Sequence, residues 1–299
     1  MSQLLQRQTK VAAIVVTHNR LALLKQCLTA LRGQTRALDE IIVVNNGSTD
    51  GTAECLAAQS GLTVIQQEDV GAGGGQSAGI KMAYARGHDW FWSMDDDAIP
   101  DHDALEQLLR CSKASDERTG FLCSLVRWTD GSLCFAGVPN VHPDYSSLVE
   151  LFPQGLLRLS SATFLSILFH RRAVAAKGLP LREMFVWFGD EEFTRRISDD
   201  FLCYQVLASK AEHRSKANRW LDFHNMAGLP TDYLQDGLRN FIFLRERDAP
   251  PGCAKLWRLK SAVRLQRLIW RQFSGANWRK LAWAICRGLF FNPKIQMPD

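Results

Sequence analysis

The first hundred residues alternate short apolar runs with longer stretches of helical period, a pattern that points to an α/β domain built on a parallel sheet. Val11 to Val16 (VAAIVV) is apolar throughout, as a strand buried on both faces requires. Leu21, Leu24, Leu28 and Leu31 then recur at helical spacing, and Gly33 closes that segment. Glu40 to Val44 (EIIVV) reads as a second strand, LTVIQ as a third and FWSM as a fourth. NNGSTDGT is turn chemistry leading into a helix, with Thr49 or Asp50 expected as its N-cap. Sheets of this kind bind ligands in the crevice beyond the carboxyl ends of their strands. Thr17 to Arg20, Asn45 to Asp50 and Asp95 to Asp97 all fall at such ends, so three polar clusters converge on one edge.

Beyond this half the pattern loosens. FLCSLVRW, LCFAGV and TFLSILFH read as added antiparallel strands that supply the second half of a cleft, and the chain turns helical from Tyr233, punctuated by Pro250-Pro251-Gly252. A content of 46% hydrophobic and 22% charged residues is that of an ordinary globular protein. MSQLLQRQTK has no apolar core of a signal peptide, and no run of about 18 uncharged apolar residues argues for a spanning helix. Eight cysteines without a CxxC pair exclude the common zinc and thioredoxin spacings and fit a reducing compartment, so a cytoplasmic location is expected. The net charge of +5 is unevenly placed: from residue 251 onward ten Lys/Arg face one acidic residue, whereas the first 250 residues are net negative.

Three segments carry chemistry. In SMDDDAIP, Asp95, Asp96 and Asp97 follow the apolar run Trp90 to Trp92, and like charges this close need a positive partner. The triplet is either a solvated helix cap or a site for a hard divalent cation, which prefers carboxylate oxygen and is commonly shared with substrate phosphates. VGAGGGQSAGI (Val70 to Ile80) precedes a helix but fits neither GxxxxGK(S/T) nor GxGxxG, leaving a close-packing turn and a phosphate cradle both open. In MFVWFGDEEFTRRI, Asp190, Glu191 and Glu192 cannot share one helix face, and the neighbouring Phe185, Trp187 and Phe188 would raise a carboxylate's pKa, as a general base needs. The alternative there is a helix start that favours acidic residues. His213 follows another apolar run, and on the residues alone it is no better a ligand than His142 or His224.

Taken together, VAAIVVTHNR, IIVVNNGSTDGT, VGAGGGQSAGI, WFWSMDDDAIP, FVWFGDEEFTRR and YLQDGLRN resemble the family-2 inverting glycosyltransferases of the GT-A fold, over about residues 11 to 245. The glycine-rich loop looks most like that of bacterial galactofuranosyl- and rhamnosyltransferases. The resemblance implies a mixed sheet flanked by helices over residues 1–230 and a basic helical extension over 231–299. It implies that Thr17, Arg20, Asn45 and Asn46 hold the nucleotide and that Gly74, Gly75 and Arg239 also serve the substrate. Asp95 and Asp97 become the outer members of a DxD motif that binds Mn²⁺ or Mg²⁺ with the diphosphate, and Asp96 faces the donor sugar or ribose. His213 becomes a third metal ligand and Asp190 the catalytic base, while Gly189, where the family often has an acidic residue, leaves Glu191 able to share that role. The implied substrates are a UDP- or dTDP-sugar and a hydroxyl of a glycan or lipid-linked glycan in surface polysaccharide synthesis. A catalytically silent relative that binds nucleotide sugar or scaffolds an assembly is the alternative.

The basic tail has two readings. Lys260, Arg264, Arg267 and Arg271 form one stripe, with Leu256, Leu259, Val263 and Trp270 beside it. Either a helical hairpin packs on the domain, or the stripe rests on the anionic inner face of a membrane. No motif supports nucleic-acid binding.

Overall fold

The computed structural model describes residues 9–219, 223–224, 226 and 228–299. Residues 1–8, most of the segment in which a leader was sought, lie outside that set. Strands β1 (Val11–Thr17), β2 (Glu40–Asn46), β3 (Thr63–Gln67) and β4 (Trp90–Asp95) are mutually parallel. After β5 (Ala98–Pro100) come β6 (Thr119–Trp128), β7 (Asn140–Val141), β8 (Leu156–Ser161), β9 (Ile167–His170) and β10 (Leu202–His213). The strand order is β3-β2-β1-β4-β9-β6-β10-β8-β7, with β5 paired to β10. β9 runs antiparallel between β4 and β6, while β6 and β10 are parallel, so the sheet is mixed.

The unbroken apolar run of β1 is explained by two cores. Val11, Ala13 and Val15 face one with Leu24, Leu28 and Leu31 of α1 (Leu21–Arg32) and Leu105 and Leu108 of α4 (Ala104–Arg110). Ala12 and Ile14 face the other, with Ile80 and Ala83 of α3 (Gly71–Ala85) and Phe193 and Ile197 of α7 (Gly189–Ser198). Alternate residues point to opposite faces, so both must be apolar.

Three local expectations are modified. The glycines lie within α3 rather than before it. A Cβ on Gly75 would come within 2.5 Å of Val16 Cγ1, one on Gly79 within 2.3 Å of Ile14 Cγ2, and one on Gly73 within 2.8 Å of Met184 O. They let the helix lie against β1 and the 181–185 loop. Leu133 to Val138 is not a strand, because a turn at Gly131 (φ +82°) folds it back on β6 and Phe135–Gly137 forms a single 3₁₀ turn. Ahead of α2 (Thr52–Ala57), Gly51 takes the N-cap position, and Asp50 accepts from Thr52 N at 3.3 Å and from Leu21 N at 3.0 Å.

Between β9 and α7 runs the short α6 (Arg171–Lys177), and α5 (Tyr145–Leu151) precedes β8. The tail forms α8 (Thr231–Leu244), α9 (Ala254–Gln272) and α10 (Gly275–Phe290). Leu234, Leu238 and Ile242 of α8 bury against Leu265 and Ile269 of α9 and Leu281 and Ile285 of α10. The helices therefore pack on one another, yet Leu256, Leu259, Val263, Trp270, Trp283 and Phe290 remain exposed. No helix among the described residues is long and apolar enough to cross a membrane.

Candidate active site

The ends of β1, β2 and β4 open into a cleft of about 270 Å³ lined by Thr17, Arg20, Asn46, Gly71, Asp95 and Asp96 among others. Asp96 accepts a hydrogen bond from Thr17 Oγ1 at 2.7 Å and one from Arg20 Nη1 at 3.3 Å. Arg20 Nη1 also donates to Asp97, whose other oxygen lies 3.4 Å from His213 Nε2. Arg20 and His213 are thus the positive partners that make three adjacent carboxylates tolerable.

The charges in this cluster differ. Burial works to raise Asp97, but His213 and Arg20 outweigh it and hold that carboxyl below its ordinary value. His213 in turn, although burial disfavours its charge, is raised to about 10 by its bonds to Asp97 and Cys134. Burial lifts Asp96 to about 6 against the pull of Arg20 and Thr17. Asp95 rises to about 7, through burial first and then repulsion from Asp97 and Asp96. Gln76 Nε2 reaches Asp95 Oδ1 from α3 at 3.3 Å, while Ser93 Oγ donates to Gln76 Oε1.

Among the described residues no three His, Cys, Asp or Glu side chains stand arranged to hold a metal ion. His213, expected as a ligand with Asp95 and Asp97, pairs with Asp97 and is held from behind by Cys134 Sγ, 3.3 Å from Nδ1. The donor set still fits a hard divalent cation. Asp95 is a buried carboxyl kept from ionising chiefly by burial and its acidic neighbours, and a cation relieves that repulsion.

The second half of the site is set by an unusual backbone. Trp187 and Phe188 both take left-handed conformations (φ +56° and +66°), a strained arrangement for aromatic residues. Asn240 of α8 holds it, donating from Nδ2 to Val186 O and Trp187 O at 3.0 Å each. The result is one loop with two faces. Phe185 and Val186 line the first cleft, while Trp187 and Phe188 line a second cavity of about 280 Å³ with Asp190, Glu191, Asn140 and Arg219. Asp190 is raised to about 6, by burial and to a lesser degree by Glu191, against the Glu191 N–H that it accepts at 2.8 Å. Glu191 lies 3.3 Å from Arg195.

Other expected residues are placed differently. Asn45 is buried under the cleft, bonding Gln66 Oε1 at 2.8 Å, and Asn46 donates to Gly71 O at 2.8 Å while its oxygen accepts from Gln67. Gly74 and Gly75 are buried packing positions, with Gly71 and Ala72 lining the cleft instead. Arg239 is buried, 2.9 Å from Asp236, donating to Glu183 O at 2.6 Å and stacked 4.4 Å from the Phe291 ring centre. Glu192 and Arg196 form a buried ion pair (3.0 Å), and Arg196 also donates to Lys177 O and Leu179 O. Sequence reasoning missed Cys134, His18, Tyr233 and Arg219. Of these, His18 stood inside THNR and Tyr233 began YLQDGLRN, both quoted segments, but neither was picked out as a site residue.

Residues 12–132 match the family model described as glycosyl transferase family 2. Over that stretch the chain is similar to the family 2 glycosyltransferases. It is similar to galactofuranosyltransferase GlfT1 of Mycolicibacterium smegmatis, 28% identical over 264 residues that cover 82% of this chain and 85% of the relative. GlfT1 of Mycobacterium tuberculosis (strain H37Rv) is 29% identical over 295 residues, covering 86% and 94%. Among solved structures, GalNAc-T7 with UDP, GalNAc and Mn²⁺ superposes with a TM-score of 0.60 at 14% identity, covering 86% of this chain and 55% of the other. S. aureus TarS 1-349 in complex with UDP gives 0.56 at 13% identity, covering 94% and 88%. These likenesses show the GT-A fold, and the glycosyltransferase class follows from the family domain and its galactofuranosyltransferase relatives.

Proposed function

We propose that this glycosyltransferase moves galactofuranose from its UDP-sugar to a hydroxyl of a lipid-linked glycan, with inversion at the anomeric carbon. The observation that carries the reading is the loop 185–188, which walls a carboxylate-rich cleft on one face and the Asp190 cavity on the other. The cleft takes the donor. Thr17 orients Asp96 toward the sugar or ribose, and Arg20 is within reach of a diphosphate once it exchanges its carboxylate partners for phosphate oxygens. Asp95 and Asp97, with His213 beside them, would hold a divalent cation, which supplies charge neutralisation at the leaving diphosphate. Asp190, with a pKa near 6, is ionised at neutral pH yet basic enough to take the proton of an attacking hydroxyl. A single displacement from the face opposite the nucleotide needs no covalent sugar–enzyme intermediate.

Residues 1–230 are taken as the catalytic unit and 231–299 as a helical extension that sits on the inner face of the cytoplasmic membrane. Trp270 and Trp283, 73% and 65% exposed among basic residues, support that placement. Free cysteines at all eight positions agree with a reducing compartment.

Incubation with UDP-galactofuranose, dTDP-rhamnose and UDP-glucose, each with Mn²⁺ or with chelator, tests the reading. Metal-dependent UDP release from the galactofuranosyl donor, with an inverted product by NMR, is expected. Nucleotide release undiminished by chelator, or pyrophosphate as product, would overturn it.

A further inference from the structure

Lys260 and Arg264 lie one turn apart on α9, and among the described residues neither meets a carboxylate; Lys260 stands over the Trp257 ring, 5.2 Å from its centre. With Arg245 from the end of α8 they border a cavity of about 480 Å³. Arg245 is braced there by Asp248 at 2.8 Å and by the Phe241 ring at 5.3 Å. The rest of the wall is largely aromatic and aliphatic (Phe223, Phe241, Trp257, Leu265 and Leu268), with His224 and Ser261 as its further polar members. Asp248 already meets the charge of Arg245, which leaves Lys260 and Arg264 as the two cations at this cavity without a carboxylate among the described residues, and an anion between them relieves their repulsion. A small inorganic anion would leave the aromatic wall and most of the volume unused, since cavities of about 300–1,000 Å³ suit whole organic ligands. The complementary ligand has a phosphate head and an apolar body.

The position of this cavity gives the head group a use. Phe223 and Phe241 pack against Phe188, with ring centres 6.0 and 5.7 Å away, and Phe188 is also a wall of the Asp190 cavity. The two cavities are therefore separated by one layer of aromatic side chains. On the outer side, Leu256, Leu259 and Val263 of α9 are about half exposed and extend the apolar surface away from the cations.

We infer that the cavity between α8 and α9 binds the phosphate or diphosphate head of the lipid-linked acceptor, on the other side of the Phe188 layer from the Asp190 cavity, with the lipid chain leaving along α9. This deepens the proposed function by naming how its acceptor is held. Arg245, Lys260 and Arg264 bind the head, Trp257 and Phe241 the first apolar carbons.

Calorimetry with n-dodecyl phosphate, kept below its micelle concentration and without any nucleotide sugar, tests the inference. Inorganic phosphate and dodecyl maltoside serve as the head without the tail and the tail without the charge. The wild-type protein should bind dodecyl phosphate at least tenfold more tightly than either control and tenfold more tightly than a Lys260→Gln/Arg264→Gln variant. The Lys260→Arg/Arg264→Lys variant should restore most of that affinity. Both side chains are exposed, so an unchanged melting temperature will establish that the variants fold. Equal binding of inorganic phosphate would mean a free-anion site and overturn the inference, as would equal binding of dodecyl maltoside or no loss in the Gln variant. Because the assay contains no donor, failure here with intact sugar transfer sinks only the acceptor site, and the converse result sinks only the transfer reading.

Discussion

Replacing Asp190 by Asn should remove activity and stabilise the protein, and the two effects have the same origin. Burial raises Asp190 from an ordinary 3.8 to about 6, so its ionised form is disfavoured in the folded state. A rise of roughly two pKa units corresponds to about 3 kcal/mol, taken as an upper bound, against folding at neutral pH. The sign follows from proton uptake: between about pH 4 and pH 6 the folded protein holds a proton that the unfolded chain has lost. Wild-type stability relative to the Asn variant therefore falls as pH climbs through that window and is flat above it. Asn retains Oδ1 to accept from Glu191 N, so the local bond survives while the charge and its repulsion with Glu191 disappear. Melting temperature should rise in the variant at pH 8 by up to roughly 6 °C, and by nothing near pH 4. Turnover should fall by about two to four orders of magnitude with UDP affinity intact. In the wild type, kcat/KM should rise through about pH 6 as the base ionises. An Asn variant that is less stable at pH 8 refutes the burial argument, and one as active as wild type refutes the base.

Arg196→Met should destabilise by up to about 3–5 kcal/mol, because it leaves the buried Glu192 carboxylate with only the more distant Arg247 at 3.5 Å; calorimetric melting should drop by up to roughly 6–10 °C, and an unchanged melt would show the pair to be dispensable. Gly75→Ala should cost about 1–3 kcal/mol through a clash with Val16 Cγ1 at 2.5 Å, read as a lower urea midpoint, with Ala72→Ser on the same helix as a mild control. Asp95→Asn and Asp97→Asn should each abolish Mn²⁺-dependent enhancement of UDP binding by calorimetry, whereas an enhancement kept in both removes the metal assignment. Truncation after Pro250 should lower the melting temperature by uncovering Leu234, Leu238 and Ile242, and should abolish flotation with anionic liposomes at low salt; full-length protein that fails to float at low salt contradicts the membrane reading.

Periodicity exposed the architecture where one face pattern dominated. The four parallel strands and α1 followed from apolar spacing alone, because each contributes side chains to both or to one well-defined core. Leu133 to Val138 misled for the same reason: its apolar residues pack, but a turn at Gly131 rather than a strand brings them in. Strand ends located the Asp95–Asp97 cluster and Thr17, the aromatic-flanked acidic run pointed to Asp190, and the resemblance assigned roles to Asp190 and His213. What no spacing revealed was partnership across the chain. Cys134 meets His213 from 79 residues away, and Asn240 reaches back 54 residues to fix the turn before Asp190. Asn45, Arg239 and Arg196 are polar and stood in motifs, yet their bonds are to neighbouring structure, a distinction that only burial and bonding partners supply.

The glycine-bearing face of α3 has a consequence for how the chain folds. Each interior glycine costs roughly 1 kcal/mol of helix propensity relative to alanine, so a segment with Gly73, Gly74, Gly75 and Gly79 has little tendency to coil alone. Its helicity is imposed by what it touches. Part of that mould, Met184 and Phe185 against Gly73 and Gly71, is more than a hundred residues further along the chain. During synthesis the first four strands can pair while α3 still lacks half of its support. The cleft at the ends of β1, β2 and β4 then acquires its shape only once the 181–185 loop has emerged, and a chain released before that has no finished cleft to offer.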